Sequence, residues 1–465
     1  MNARSQERDL TTGPVTQTLI LFALPALGVN ILQSINGSIN SIWVGQLLGE
    51  AALAATSNAG MIMFLMFAAL FGFSMAVTIL LGQAKGRGDT DMLRRIVGGS
   101  VGLFTTLGVV IAIGGYIFTP ELLGLLSTPP EAFDLAITYL RIIFISMPPI
   151  FAMVLLSSAL RGVGDATTPL WSTILYVVLD VILNPVFIIG IGPFPEMGIG
   201  GSAFANLLAG IAATLFLLWR IYANDLSIRL RGPEFGFLKP SASITKSLVA
   251  LGFPMGLSMI IMALSGLVMV GLINREGVIT AAAFGIMNQI WSFIMMPAVA
   301  VGVAVSAMVA QNIGAGKWER VNRIAWSGIG VNIAMTVIFL AVITLAIRPI
   351  LLLFFDAGSP AIPVSIHMNY LVGWSYIMMG ISMVAVSVVR GNGAVLVPLI
   401  FLIISMIIVR LGFGFWFHPE YGADAIWWAF GISSVSSASL SMAYFLHGGW
   451  RKLKPMGMGE PAPQT

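Results

Sequence analysis

One acid in this chain lies where an acid is expensive to keep. Of 19 Asp and Glu residues, Asp180 alone falls mid-span in an apolar segment, Tyr176-Val-Val-Leu-Asp180-Val-Ile-Leu-Asn184-Pro185. A carboxylate at membrane depth costs several kcal/mol, so it normally faces the interior of a helix bundle, on an ion or substrate path. Asn184, four residues on, shares its helix face. Pro185 lacks the N–H that would bond the Val181 carbonyl, which leaves that oxygen free beside the pair. A carboxylate, an amide and a spare carbonyl on one face can carry a proton or ligate a monovalent cation. The structural alternative is a hydrogen-bonded knot between helices.

A second polar stripe runs through the first apolar span. Gln33, Asn36 and Asn40 stand three and four residues apart, with Gly37 between them, which aligns them on one helix face. Amides of this kind also glue helices together, and glycine favours close packing. Three amides in the same half as Asp180 point to a shared polar pocket. Ser157 and Asn206, in later spans of that half, are candidates to join it. Other chemistry is poorly represented. The three histidines, His367, His418 and His447, are scattered, and no phosphate-binding loop, Ser/His/Asp grouping or paired carboxylates occur. ATP-driven pumping and hydrolysis lose support, and no cofactor is expected.

The elements that must position these residues are membrane helices. The chain is 58% hydrophobic and 9% charged, against roughly 25% charged in soluble domains. Apolar runs of at least ~18 residues, each long enough to cross a hydrocarbon core, recur about 12 times. They lie near 18–44, 52–82, 96–118, 133–160, 168–190, 199–221, 246–273, 280–311, 324–346, 363–389, 396–417 and 424–446. Strict alternation typical of a membrane barrel is absent, so the fold class is all-α and polytopic. The polar start and the length of the first run argue against a cleavable leader. With no cysteine, disulfides are excluded.

The chain also repeats itself. Leu24-Pro25 returns as Phe253-Pro254, 229 residues on (24 to 253). Gly82-Gln83-Ala84-Lys85-Gly86, closed by Arg95-Ile96, returns as Ala310-Gln311-Asn312-Ile313-Gly314, closed by Arg323-Ile324. Arg161-Gly162-Val163-Gly164 with Pro169-Leu170 returns as Arg390-Gly391-Asn392-Gly393 with Pro398-Leu399. If the N-terminus is cytoplasmic, the basic residues sort to one side. Of 23 Lys and Arg, only Arg275 and Arg348 fall outside, while Arg141 and Arg410 sit at membrane depth. That is the bias which orients membrane proteins, not a nucleic-acid footprint. Arg410 and Arg141 are expected to snorkel to the surface or pair with loop acids.

Both repeated basic loops land inside, so each half holds an even number of spans and the halves run parallel, in the manner of transporters built from repeats. The expected organisation is a cytoplasmic tail at 1–15, a six-helix lobe at 16–223, a cytoplasmic linker at 224–245, a second six-helix lobe at 246–447 and a tail at 448–465. The tails, Met1 to Pro14 and Lys452 to Thr465, read as unstructured. Internal prolines, among them Pro25, Pro148, Pro149, Pro185, Pro254 and Pro297, suit kinked, moving or site-lining helices.

The second half answers the first differently. At the repeat spacing, Gln33, Asn36 and Asn40 become Met262, Ser265 and Met269, and Asp180 becomes Val409 beside Arg410. Methionines such as Met255, Met259, Met287, Met295 and Met383 gather here, and flexible thioethers suit varied apolar ligands as well as ordinary cores. Asn288, Gln289 and Trp291 add a polar and aromatic patch. Substrate-contact candidates are therefore Ser157, Asn206, Met262, Met287, Asn288 and Trp291.

At these landmarks the sequence resembles the multidrug and toxic compound extrusion (MATE) family. The resemblance is carried by Leu24-Pro25, Ile42-Trp43-Val44-Gly45, Gly82-Gln83, Arg161-Gly162-Val163-Gly164-Asp165, Asn184-Pro185-Val186-Phe187-Ile188, Gln311-Asn312-Ile313-Gly314-Ala315-Gly316 and Arg390-Gly391. It implies two six-helix lobes around a central cavity and proton- or sodium-driven export of organic, often cationic, compounds. Members commonly carry an Asp where this chain has Asn40, and Asn then Asp where it has Asp180 then Asn184; the family's glutamine in the first span matches Gln33. The expected function is a multidrug antiporter without ATP or nucleic acid, a functional monomer in a bacterial inner (plasma) membrane with both termini cytoplasmic. Asp180 is its coupling acid, with Asn184, Asn40, Asn36 and Gln33 shaping the pocket. The setting suits a proton first; were sodium the coupling ion, Asp180 and Asn184 would be its ligands. The competing reading is a flippase for a lipid-linked sugar or other amphiphile.

Overall fold

The computed structural model describes residues 7–126 and 128–453. Residues 1–6 and 454–465, part of the expected N-terminal tail and most of the C-terminal one, lie outside the described residues. The described chain is helical without a strand, as hydrocarbon demands, because a helix satisfies its backbone groups internally. The first half comprises α1 (Val15–Leu48), α2 (Glu50–Arg87), α3 (Thr90–Ile117), the short α4 (Thr119–Leu125), α5 (Pro130–Gly162), α6 (Thr167–Ile189) and α7 (Ile199–Ala223). The second comprises α8 (Ala242–Arg275), α9 (Val278–Gly314), α10 (Trp318–Leu345), the short α11 (Ile347–Leu351), α12 (Ala361–Val372), α13 (Ser375–Gly391), α14 (Leu396–Ile403), a π-helical segment (Ile404–Leu411), α15 (Gly412–Tyr421) and α16 (Ala423–His447). Among the described residues 11 helices are long and apolar enough to cross a membrane, and the pair α12 and α13, bent by 42°, makes up to 12.

Packing gathers the described chain into two compact units. One holds 7–9 and Gly28–Phe253; the other holds Leu10–Leu27 and 254–453. The units do not coincide with the sequence halves, because α1 and α8 each change unit part-way. Both changes fall within three residues of the repeated prolines Pro25 and Pro254. A proline inside a helix removes one backbone bond and crowds the preceding turn, which makes it the weakest point of a helix's bonding.

In the first unit, α6 and α7 cross closely. Gly201 on α7 makes this possible: a Cβ there would stand 2.5 Å from the Phe187 carbonyl on α6. Ser172 Oγ on α6 also donates to the Ala213 carbonyl on α7, at 3.2 Å. Gly201→Ala must therefore push the helices apart. The expected cost is about 1–3 kcal/mol of overpacking, read as a lower melting temperature of the detergent-solubilised protein.

The N-terminal segment is not unstructured from residue 7 onward. In the first unit Glu7 pairs with Lys85 and accepts from the Ser227 backbone at 2.7 Å. In the second, Leu10 is fully buried; its N–H donates to Gln311 Oε1 at 3.2 Å and its carbonyl accepts from Asn312 at 3.0 Å. Buried backbone groups need partners, and Gln311 and Asn312 near the end of α9 supply them. The segment after α7 is likewise seated. Its 3-10 turn, Gly232–Leu238, pairs Glu234 with Arg94 on α3 and lays Phe237 under Arg95, 4.8 Å from ring centroid to guanidinium. Hydrogen bonding from Arg231 holds the Asp225 carboxyl below its usual range. Its contribution is thus present at neutral pH and is lost as pH falls through that lowered value, and its exposure to solvent keeps it small.

Candidate functional site

The first unit places Asp180 where its sequence promised. It is 2% exposed on α6, and α6 stays helical through Pro185. Asn184, 1% exposed, donates its amide to the Asp180 backbone carbonyl at 3.0 Å. That bond fixes which end of the amide faces the Asp180 backbone. From α1, the Asn36 side chain reaches the Asp180 carboxyl. Asn40, one turn on, accepts from Ser202 Oγ of α7 at 2.9 Å. Asn206, one turn further along α7, donates to the Tyr176 hydroxyl at 2.5 Å. Four oxygens here are buried without a hydrogen-bond partner among the described residues: Asp180 Oδ1, Asn184 Oδ1, Asn36 Oδ1 and Asn206 Oδ1. Unpaired buried acceptors are costly. A set made of acceptors only is suited to a proton or to a hard cation, because either supplies what the protein withholds.

Two tyrosines complete the surroundings. Tyr176 and Tyr139, on α6 and α5, both lie within electrostatic range of Asp180, and Tyr139 also stands beside Asn40. Tyr176 stands four residues before Asp180, a same-face spacing visible in the sequence. Tyr139 had no local signal; only the packing of α5 brings it in. The other first-half candidates stand apart. Gln33 is exposed. Ser157 is buried on α5, with no hydrogen bond to the Asp180 group among the described residues. No cluster of three or more acids, histidines or cysteines that could hold a metal occurs among them either.

The second-half candidates also separate. Met287 and Trp291 lie inside an apolar core with Met269, Phe284, Met368 and Trp427. There the Trp291 indole donates to Asn369 Oδ1 at 3.2 Å. Asn288 is exposed and Met262 half-buried. Arg141 lies over Tyr116, 4.9 Å from the ring centroid, and donates to its carbonyl at 3.3 Å. Arg410 neither snorkels nor meets a loop acid. It is 8% exposed, and its Nε donates to Ser433 Oγ of α16 at 2.9 Å. The π-helical segment turns it inward, against α16.

Comparison with known proteins agrees with this architecture. A family model described as MatE matches residues 25–186 and again 254–416, which also restates the duplication. The probable multidrug resistance protein YoeA of Bacillus subtilis (strain 168) is 32% identical over 392 residues, covering 84% of each chain. The probable multidrug resistance protein YpnP of the same organism is 30% identical over 448 residues, 96% of this chain and 98% of that one. Among solved structures, an outward-facing multidrug resistance MATE family transporter of the MOP superfamily superposes with a TM-score of 0.88. It is 21% identical and covers 97% of this chain and 99% of its own. Two family matches that together span most of the chain, and a relative above the 30% level over most of its length, leave one assignment: this chain belongs to the MATE family of membrane transporters.

Proposed function

We propose that the chain is a secondary active antiporter, exporting organic compounds in exchange for protons or sodium by alternating access of its two lobes. One observation carries this reading: a carboxylate buried at mid-span, flanked by amides and tyrosines, with one oxygen left unpaired. Such a group changes charge as it binds and releases a cation. An exchanger needs that change, since an ion can bias a conformational equilibrium only through a difference in its binding to the two states. The relatives' names, multidrug resistance proteins, support organic substrates. The sorting of Lys and Arg supports cytoplasmic termini in a plasma membrane. The exchanger works as a monomer without ATP.

The test is dye export from proteoliposomes under a proton gradient and, separately, a sodium gradient. Stimulation by the proton gradient is expected. Export indifferent to both gradients would overturn the antiport reading. Stimulation by sodium alone would keep the antiport and reassign the Asp180 group to sodium.

A further inference from the structure

The Asp180 site leaves one buried charge in the second unit without a role. Arg410 sits at mid-span, 8% exposed, and its surroundings offset little of what that costs. Its Nε has Ser433, and its guanidinium carbon lies 4.6 Å from the Phe430 ring centroid. The Tyr376 hydroxyl is within electrostatic reach. Among the described residues no carboxylate pairs with it, and neither Nη atom has a hydrogen-bond partner. A charged side chain at membrane depth is rare and usually lines a path or is paired. A hydroxyl and one ring face do not replace a counter-ion.

The repeat explains how the arginine comes to this place. α7 and α16 begin from glycines with almost the same backbone, φ 54° and ψ −133° at Gly198, φ 54° and ψ −137° at Gly422. They are corresponding helices, and α6 and the π-helical span pack on them respectively. Simple spacing sets Val409 opposite Asp180. A π-turn takes up one residue more than an α-turn, and across Ile404–Leu411 it brings Arg410 onto the face that meets α16. Corresponding places in the two units thus carry opposite charges. Tyr376, Phe430 and Leu411 around Arg410 are half-buried rather than sealed, so its two Nη groups are left as a fork that matches a planar oxyanion.

We infer that Arg410 is an anion-recognition site, selecting transported compounds that carry a carboxylate or phosphate group. The inference rests on the export reading for its ligand to be cargo, but its test does not depend on export. The probes are rhodamine B, which has a free carboxylate, and rhodamine B ethyl ester, which keeps the cationic dye and lacks the anion. Equilibrium binding is measured by fluorescence on the purified full chain in detergent. Wild type is expected to bind the acid about tenfold more tightly than the ester, the effect of one charge-assisted bidentate contact. Arg410→Met and Arg410→Gln are expected to bring the ratio to one. Replacing a buried charge by an apolar side chain of similar length seldom prevents folding, so Arg410→Met supplies the comparison if Arg410→Gln does not fold. Equal binding by wild type, no saturable binding of the acid, or a preference that survives in Arg410→Met would overturn the inference. Failure of gradient-driven export would leave the acid-to-ester ratio untouched, so the two readings can fail separately.

Discussion

Asp180→Asn is expected to remove gradient stimulation of export altogether while the protein still accumulates and folds. The side chains are isosteric, and the amide keeps an oxygen to accept from Asn36. What it loses is the ability to take up and release a proton, or to balance the charge of a bound cation. With one proton exchanged per dye, a pH difference of one unit supports up to about a tenfold dye gradient, and the variant should hold none of it. Thermal unfolding in detergent should stay within about 1 kcal/mol of wild type, since no ion pair is broken. A structural knot predicts the reverse pattern: weakened folding and intact coupling. Proteoliposome export and a melting curve on the same preparation separate the two, and undiminished stimulation in the variant sinks the coupling role.

That prediction could be framed from sequence because the relevant signals are local. Hydropathy finds spans one window at a time, and the depth of Asp180 follows from its place within one. The four-residue steps to Asn184 and Tyr176 follow from helix geometry. Duplication was equally legible, since it needs only order and spacing. What stayed hidden depends on neighbours far along the chain. Tyr139 reaches Asn40 across about a hundred residues, and nothing around position 139 announces it. Leu10 looks like part of a polar tail until Gln311 and Asn312 are seen to take up its backbone groups. Arg410 was misread for a different reason. A long basic side chain is expected to snorkel to the surface, and no hydropathy window shows the π-helical segment in which this one sits buried against Ser433. The exchange of units within α1 and α8 was hinted at by the repeated prolines, but a proline alone does not say which bundle each part joins.

The largest loss of stability is expected from Asp165→Ala, an acid that sequence alone places in a loop. It is 1% exposed and accepts three hydrogen bonds at the start of α6: from the backbone of Thr167 and of Thr168, both at 2.9 Å, and from the Thr168 hydroxyl at 2.5 Å. The carboxylate thus satisfies the first free N–H groups of the helix that carries Asp180, and its charge opposes the positive end of the helix dipole. The preceding Gly164 is in the left-handed region, φ 98°, and a Cβ there would stand 2.2 Å from the Arg8 carbonyl. Its own carbonyl accepts from the Arg8 N–H at 3.2 Å. The turn therefore cannot relax toward other partners without releasing the N-terminal segment. Removing the acceptor leaves the buried Thr168 donors unpaired, at a cost of roughly 3 kcal/mol. Asp165→Asn, which keeps one acceptor oxygen, should lose about half as much. At the repeat spacing the second half has Ala394, and there the neighbouring Asn392 donates instead to the carbonyls of Trp450 and Leu453. The two turns share glycines and direction but hold their helices by different bonds. Ala394→Asp should accordingly give no matching gain. A melting temperature for Asp165→Ala indistinguishable from wild type would show that the acid is not what seats α6.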